Sequence, residues 1–155
     1  MLIQGRYIIT APVQDVWGLL MDFEVLEKIT PGISQLVPLA DDKYKAISNI
    51  KIGPVRGYFE GDLKIMNKEE NSTATLVIDQ KSKIGNVTAT ITMHLKPVEN
   101  STEIDYKGEA KLSGKLAMMG QRIIGGVISS LSKQFFTALD KEIKNVNNNP
   151  SSYAN

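Results

Sequence analysis

Apolar and polar residues alternate along most of the chain, and the alternation predicts strands with two distinguishable faces. Ile3, Gly5, Tyr7 and Ile9 share one side of a first strand over residues 2–10, which Ala11-Pro12 breaks. Val13, Val16, Trp17 and Leu20 then recur at helical spacing. A second short helix is predicted from Asp22 or Phe23 to Lys28, stopped by Pro31-Gly32. From Ile33 onward, turn signals at Asp41-Asp42, Gly53-Pro54, Glu70-Asn71, Gly85-Asn86 and Pro97 to Ser101 mark out six strands, seven with the first. Val55, Gly57, Phe59, Gly61, Leu63 and Ile65 oppose Arg56, Tyr58, Glu60, Asp62 and Lys64, and Ile104, Tyr106, Gly108, Ala110 and Leu112 oppose five charged residues. One face of the sheet is therefore covered and the other wet.

The alternation ends at Ser113-Gly114, and a single long amphipathic helix is predicted from Lys115 to about Lys144. Advancing about 100° per residue from Leu116 puts Gly120, Ile123, Ile124, Val127, Leu131, Phe135, Ala138 and Leu139 on one side. Burying each large side chain of that stripe stabilises by roughly 1.5–3 kcal/mol, so the helix needs an apolar partner. The predicted architecture is α+β: a seven-stranded curved antiparallel sheet wrapped around the long C-terminal helix, with two short helices after the first strand. A membrane span takes about 20 predominantly apolar residues, and Arg122, Lys133 and Asp140 interrupt this stretch. Peripheral contact with a bilayer through the apolar stripe is the competing use.

At 155 residues and 17.1 kDa the chain fits one domain, placed at residues 1–145, with room for a cavity in its core. Residues 146–155, rich in Asn and Ser around Pro150, are expected to form a disordered polar tail. A net charge of +1 from intermixed acids and bases predicts no field that would steer nucleic acid or an anionic membrane. The absence of cysteine excludes disulfides and thiolate chemistry. The Met1 end has no basic stretch followed by an apolar run, so no signal peptide is expected and the compartment is read as cytoplasmic.

Candidate chemistry is sparse. Parity places the single histidine, His94, outward with Thr88, Thr90 and Thr92, and the strand carboxylates Asp62, Asp79, Glu103, Asp105 and Glu109 also point outward. Arg6, Asp22 and Glu27 fall near rims, with nothing to pair them. No phosphate loop, dinucleotide fingerprint, zinc spacing or serine elbow is present, and neither a catalytic residue nor a metal site nor a cofactor is predicted. Small residues crowd the covered face: Ala46, Ser48, Gly57, Gly61, Ala74, Ala89, Gly108 and Ala110. Either they leave volume for a ligand, or they admit close packing and strand bending. Ser48, Gln80 and the Tyr106 hydroxyl are the inward polar groups. Gly125-Gly126 costs a helix about 1 kcal/mol per glycine, and is read as a close backbone approach or as a hinge.

The order of elements resembles the START-like helix-grip superfamily, through Ile9-Thr10-Ala11-Pro12-Val13, Val16-Trp17, Asp22 and Pro31-Gly32-Ile33. Ile52-Gly53-Pro54-Val55-Arg56-Gly57 with Phe59 and Gly61, then Ser113-Gly114-Lys115-Leu116, Gly120, Arg122-Ile123-Ile124 and Gln134-Phe135-Phe136, narrow it to a resemblance to the G-subunit family of carbon monoxide dehydrogenase. That resemblance implies a hydrophobic cavity between sheet and helix, and roles beside molybdenum hydroxylases in membrane recruitment or quinone handling. The expected function is non-enzymatic binding of a lipid or quinone-like molecule. The expected cavity wall is Phe23, Phe59, Gly61, Leu63, Ile78, Ile91, Tyr106, Met119, Ile123 and Val127. The alternatives are an assembly factor acting by contact with a hydroxylase and a cyclase or dehydratase-like enzyme.

Overall fold

A computed structural model describes residues 1–148. Its elements run β1 (Leu2–Ile9), α1 (Val13–Leu20), α2 (Phe23–Ile29), β2 (Ile33–Ala40), β3 (Lys43–Ile52), β4 (Val55–Glu69), β5 (Thr73–Lys81), β6 (Val87–Val98), β7 (Ser101–Leu112), α3 (Gly114–Met118) and α4 (Gln121–Asn148). The seven strands form one antiparallel sheet in the order β1-β7-β6-β5-β4-β3-β2, so a meander from β2 to β7 is completed by β1 at the β7 edge. The sheet curves around α4 as the alternation predicts.

Local chemistry fixes the early helices. Asp22 caps α2 by accepting from the backbone N–H groups of Glu24 and Val25. Gly32 then takes a positive φ of 81°, and its carbonyl accepts from Asn49 N–H at 2.8 Å, which turns the chain into β2. The Thr102 hydroxyl, fully buried, donates to Ala11 O at 2.8 Å and holds the corner between β1 and α1.

At two glycines the neighbouring strand closes in on the backbone. A Cβ on Gly61 would collide with Asp79 O, and one on Gly108 with Thr90 O. These two glycines serve backbone approach rather than cavity volume.

The predicted single helix is two. Met119 and Gly120 interrupt it, with Gly120 at a φ of 83° and its carbonyl accepting from Ile124 N–H as α4 begins. The break resets the helical phase. Ile123, on the buried stripe of an unbroken helix, is 43% exposed, while Ile124, Val127, Phe136, Leu139 and Ile143 are buried. The helix also continues through Asn148, three residues beyond the expected domain boundary at 145; the rest of the expected tail, 149–155, lies outside the described residues.

The core divides. A large cluster joins α1, α2, the second half of α4 and the sheet, with Ile104 and Leu139 fully buried. A smaller one gathers Val55, Phe59, Leu116, Ile124 and Val127 at the other end.

Candidate functional site

Between the two clusters lies a cavity of about 420 Å³, under α4 and against the concave face of the sheet. This falls within the roughly 300–1,000 Å³ typical of small-molecule pockets. Its walls are strand side chains at every second position, including Phe59, Leu63, Ile78, Ile91 and Tyr106, roofed by Ile124, Val127, Ile128, Leu131, Phe135 and Phe136. Leu20, Met21, Leu26, Thr30 and Pro31 of the α1–α2 segment close one side. Ala46, Ser48, Ala89 and Ala110 are the small residues that supply the space.

Six of the ten residues expected on the wall meet here: Phe59, Leu63, Ile78, Ile91, Tyr106 and Val127. Four do not. Phe23 stacks on Tyr44 at 5.8 Å between ring centres and belongs to the large core. Gly61 is taken up by the approach of Asp79 O. Met119 and Ile123 sit at the α3–α4 break, Met119 half-buried against the smaller cluster and Ile123 largely outside. The phase error that misplaces Ile123 also hides Ile128 and Phe136.

Tyr106 is held by aromatic packing. Its ring stacks on Phe136 at 5.5 Å, and Phe136 stacks on Tyr7 at 4.3 Å. The phenol lies across Gly5, its partner in the β1–β7 register, where any Cβ would strike the hydroxyl. With Ile3, Ile128 and Ser132 it separates the main cavity from a second pocket of about 150 Å³ beside β1, which Gln4, Gly125 and Ser129 also line.

The cavity wall contains no His, Asp or Glu. His94 is exposed on the outer face of β6. Arg6, Asp22 and Glu27 are not brought together: Arg6 pairs with Asp105 at 2.7 Å, Asp22 caps α2, and Glu27 accepts from Leu36 N–H. The groups with clearly displaced pKa values also lie off the wall. The hydrogen bond from Arg6 holds the Asp105 carboxyl below its ordinary value, and burial pushes the Tyr44 phenol up. Among the described residues there is no cluster of three metal-ligating side chains.

The charges are less evenly spread than the composition alone implies. Ile84 packs near Gly57, and Leu116 N–H bonds to Ile84 O, so segments 49–57, 82–88 and 111–128 converge at the end holding the smaller cluster. They carry Lys51, Arg56, Lys83, Lys111, Lys115 and Arg122, all exposed, and none of the chain's 17 acidic residues. None of these six forms an ion pair among the described residues. Exposed Met118 and Ile123 lie among them. A net charge of +1 thus conceals one strongly basic end. No helix among the described residues is long and apolar enough to cross a membrane.

A curved antiparallel sheet gripping a C-terminal helix around an apolar cavity defines a START-like protein. The fold matches a START superfamily protein from Mycobacterium smegmatis with a TM-score of 0.76 at 12% identity, over 94% of this chain and 98% of that one. The profile of the CoxG family, the G subunit of carbon monoxide dehydrogenase, matches residues 5–144, and the chain belongs to that family. A conserved protein from Geobacillus kaustophilus is 30% identical, with a TM-score of 0.92 over 94% of this chain and 97% of that chain. An aromatase/cyclase, Zhui from Streptomyces sp. R1128, shares the fold at 9% identity and a TM-score of 0.67, over 94% of each chain. No curated protein sequence matches.

Proposed function

We propose that the protein is a non-enzymatic carrier of an apolar small molecule, lipid- or quinone-like, held between the sheet and α4. The cavity carries this reading. About 420 Å³ of space with an apolar lining is left without partner atoms, and a bound hydrophobic molecule would supply the contacts that lining lacks. Burial of the ligand there needs no acid, base or metal. The likeness to an aromatase/cyclase extends to fold only, and the wall offers no histidine or carboxylate as a general acid or base.

Organic extraction of the purified protein, followed by mass spectrometry, is expected to release a hydrophobic ligand, and added isoprenoid quinones are expected to raise the melting temperature. A protein that yields no ligand and gains no stability from any quinone or lipid overturns the reading.

A second reading, recruitment, is favoured by the basic end. Six unpaired cations around Met118 and Ile123 are the chemistry that meets an anionic bilayer, at about 1 kcal/mol per Lys or Arg near the surface. Phosphatidylglycerol vesicles are expected to sediment the protein at low salt, phosphatidylcholine vesicles are not, and Lys115→Glu with Arg122→Glu is expected to abolish the difference. Service to a molybdenum hydroxylase of the carbon monoxide dehydrogenase type belongs to the same proposal. A stoichiometric hydroxylase in a pull-down would support it, and a repeated failure to recover one would count against it.

A further inference from the structure

We infer that the ligand enters and leaves the cavity through the seam between β1 and the first half of α4, by way of the smaller pocket beside β1. The inference rests on the cavity being a ligand site. None of the residues lining the main cavity is exposed, so a molecule held there lies behind side chains that have to part. The smaller pocket is lined by exposed Leu2, Gln4 and Ser129, and it shares Ile3, Tyr106, Ile128 and Ser132 with the cavity. At this place one layer of side chains stands between the cavity and the surface.

The same seam is the least fastened border of the roof. Lys28 ties α2 to Glu142 of α4 at 2.9 Å. At the other end, Leu116 N–H of α3 donates to Ile84 O, and Asn86 N–H donates to Ser113 Oγ. Among the described residues no hydrogen bond or ion pair joins β1 to α4. Aromatic packing closes one end of the seam, where Phe136 stacks on Tyr7. Ser132, Ser129 and Gly125 precede Phe136 on the same face of the helix, and all three line the smaller pocket. Two hydroxymethyl groups and a hydrogen thus stand where the clamped half carries a ring. A Cβ at Gly125 would meet only the flexible end of Met1.

Tyr106 is the panel in the dividing layer. Its hydroxyl makes no hydrogen bond among the described residues, and it lies across Gly5, which has no side chain to hold it. Turning the ring aside therefore breaks stacking on Phe136 and no polar bond. Ile3 and Ile128 flank the panel, while the Ser129 and Ser132 side chains line the approach. The passage suits an elongated molecule that enters apolar end first, because a polar end that follows stays among hydroxyls and water until the chain is buried.

The chain has no cysteine, so a thiol at Ser129, which lines the smaller pocket and not the cavity, can be labelled uniquely. Ser129→Cys is compared before and after reaction with benzylmaleimide, by stopped-flow binding of N-phenyl-1-naphthylamine, a neutral apolar fluorophore. The label is expected to slow association and dissociation alike by about tenfold and to leave Kd within about twofold, because an obstacle on the path changes the barrier and not the end states. Met118→Cys, labelled in the same way at the basic end, is expected to exchange the fluorophore at its unlabelled rate. Gly125→Leu narrows the same pocket without a label; it is expected to slow both rates too, and it carries the test if the label lowers the melting temperature. Unchanged rates in the blocked variants, or equal slowing by the label at Met118→Cys, overturn the route and leave the cavity reading standing. A weaker Kd with faster dissociation makes the smaller pocket part of the bound site and also overturns the route. If the wild-type chain binds neither this fluorophore nor any quinone or lipid, the ligand site itself falls.

Discussion

The two halves of α4 sit on the same sheet and do different work. From Phe135 to Ile143 the helix is clamped: Phe136 stacks between Tyr7 and Tyr106, Leu139 is fully buried, and Glu142, 2% exposed, reaches Lys28 of α2 at 2.9 Å. From Gln121 to Leu131 it forms most of the cavity roof, which Phe135 and Phe136 complete; it starts from a break at Gly120 and carries Gly125 and Gly126, the latter with open space beside it. A protein that must bind a hydrophobic molecule cannot pack every apolar face against itself. Here the large core cluster holds one end of the helix, and the other end borders the cavity that the proposed ligand would fill.

Paired truncations test that division most severely. Leu139→Ala should lower the unfolding free energy by about 3–4 kcal/mol, because the surrounding packing leaves a void. Ile128→Ala, on the cavity roof, should cost only about 1 kcal/mol, since its neighbours already border empty volume. Urea titration of the two variants reads both values. Equal losses would mean that α4 is one continuous core helix. With a bound hydrophobic ligand the gap should narrow, because Ile128 then has atoms to lose.

A smaller effect comes from the joint between α2 and α4. Glu142→Gln keeps the shape and removes the charge that Lys28 meets, and because Lys28 can turn to solvent the expected loss is about 1–2 kcal/mol. That loss should be the same with and without ligand. A ligand-dependent loss in thermal or urea unfolding would show that the clamp feels the cavity, and the two halves would not be independent.

Strand parity made the sheet legible, because a one-residue slip would turn Arg56, Glu60, Asp62 and Lys64 of β4 and every charged residue of β7 inward. It placed Phe59, Leu63, Ile78, Ile91 and Tyr106 on the cavity side, and Gln80 with them. The helix was less legible for an energetic reason: a glycine such as Gly120 changes helix stability by only about 1 kcal/mol, too little to distinguish a tolerated residue from a break. One break then moved Ile123 out and concealed Ile128 and Phe136. Gly61 and Gly108 were ambiguous for another reason, since whether a missing side chain makes room for a ligand or for a neighbouring carbonyl depends on the strand beside it. The basic end was visible only in part. The run from Lys111 to Arg122 lacks acids on inspection, but its union with Lys51, Arg56 and Lys83 depends on which turns meet.

Gly126→Ala gives the smallest expected change and the sharpest question about the loose half. A Cβ at Gly126 would meet nothing within 4 Å, and one at Gly125 only the end of the Met1 side chain at 3.6 Å. Close backbone approach therefore does not explain either glycine. Alanine at 126 should raise stability by about 0.5–1 kcal/mol through helix propensity and a less flexible unfolded chain. If the pair exists so that the roof can yield while a ligand enters, the same substitution should slow association in stopped-flow measurements and leave the equilibrium affinity nearly unchanged. A variant that is stabilised and binds at the wild-type rate would show that the roof does not move at this point, and the contrast between the two halves would then be one of packing alone.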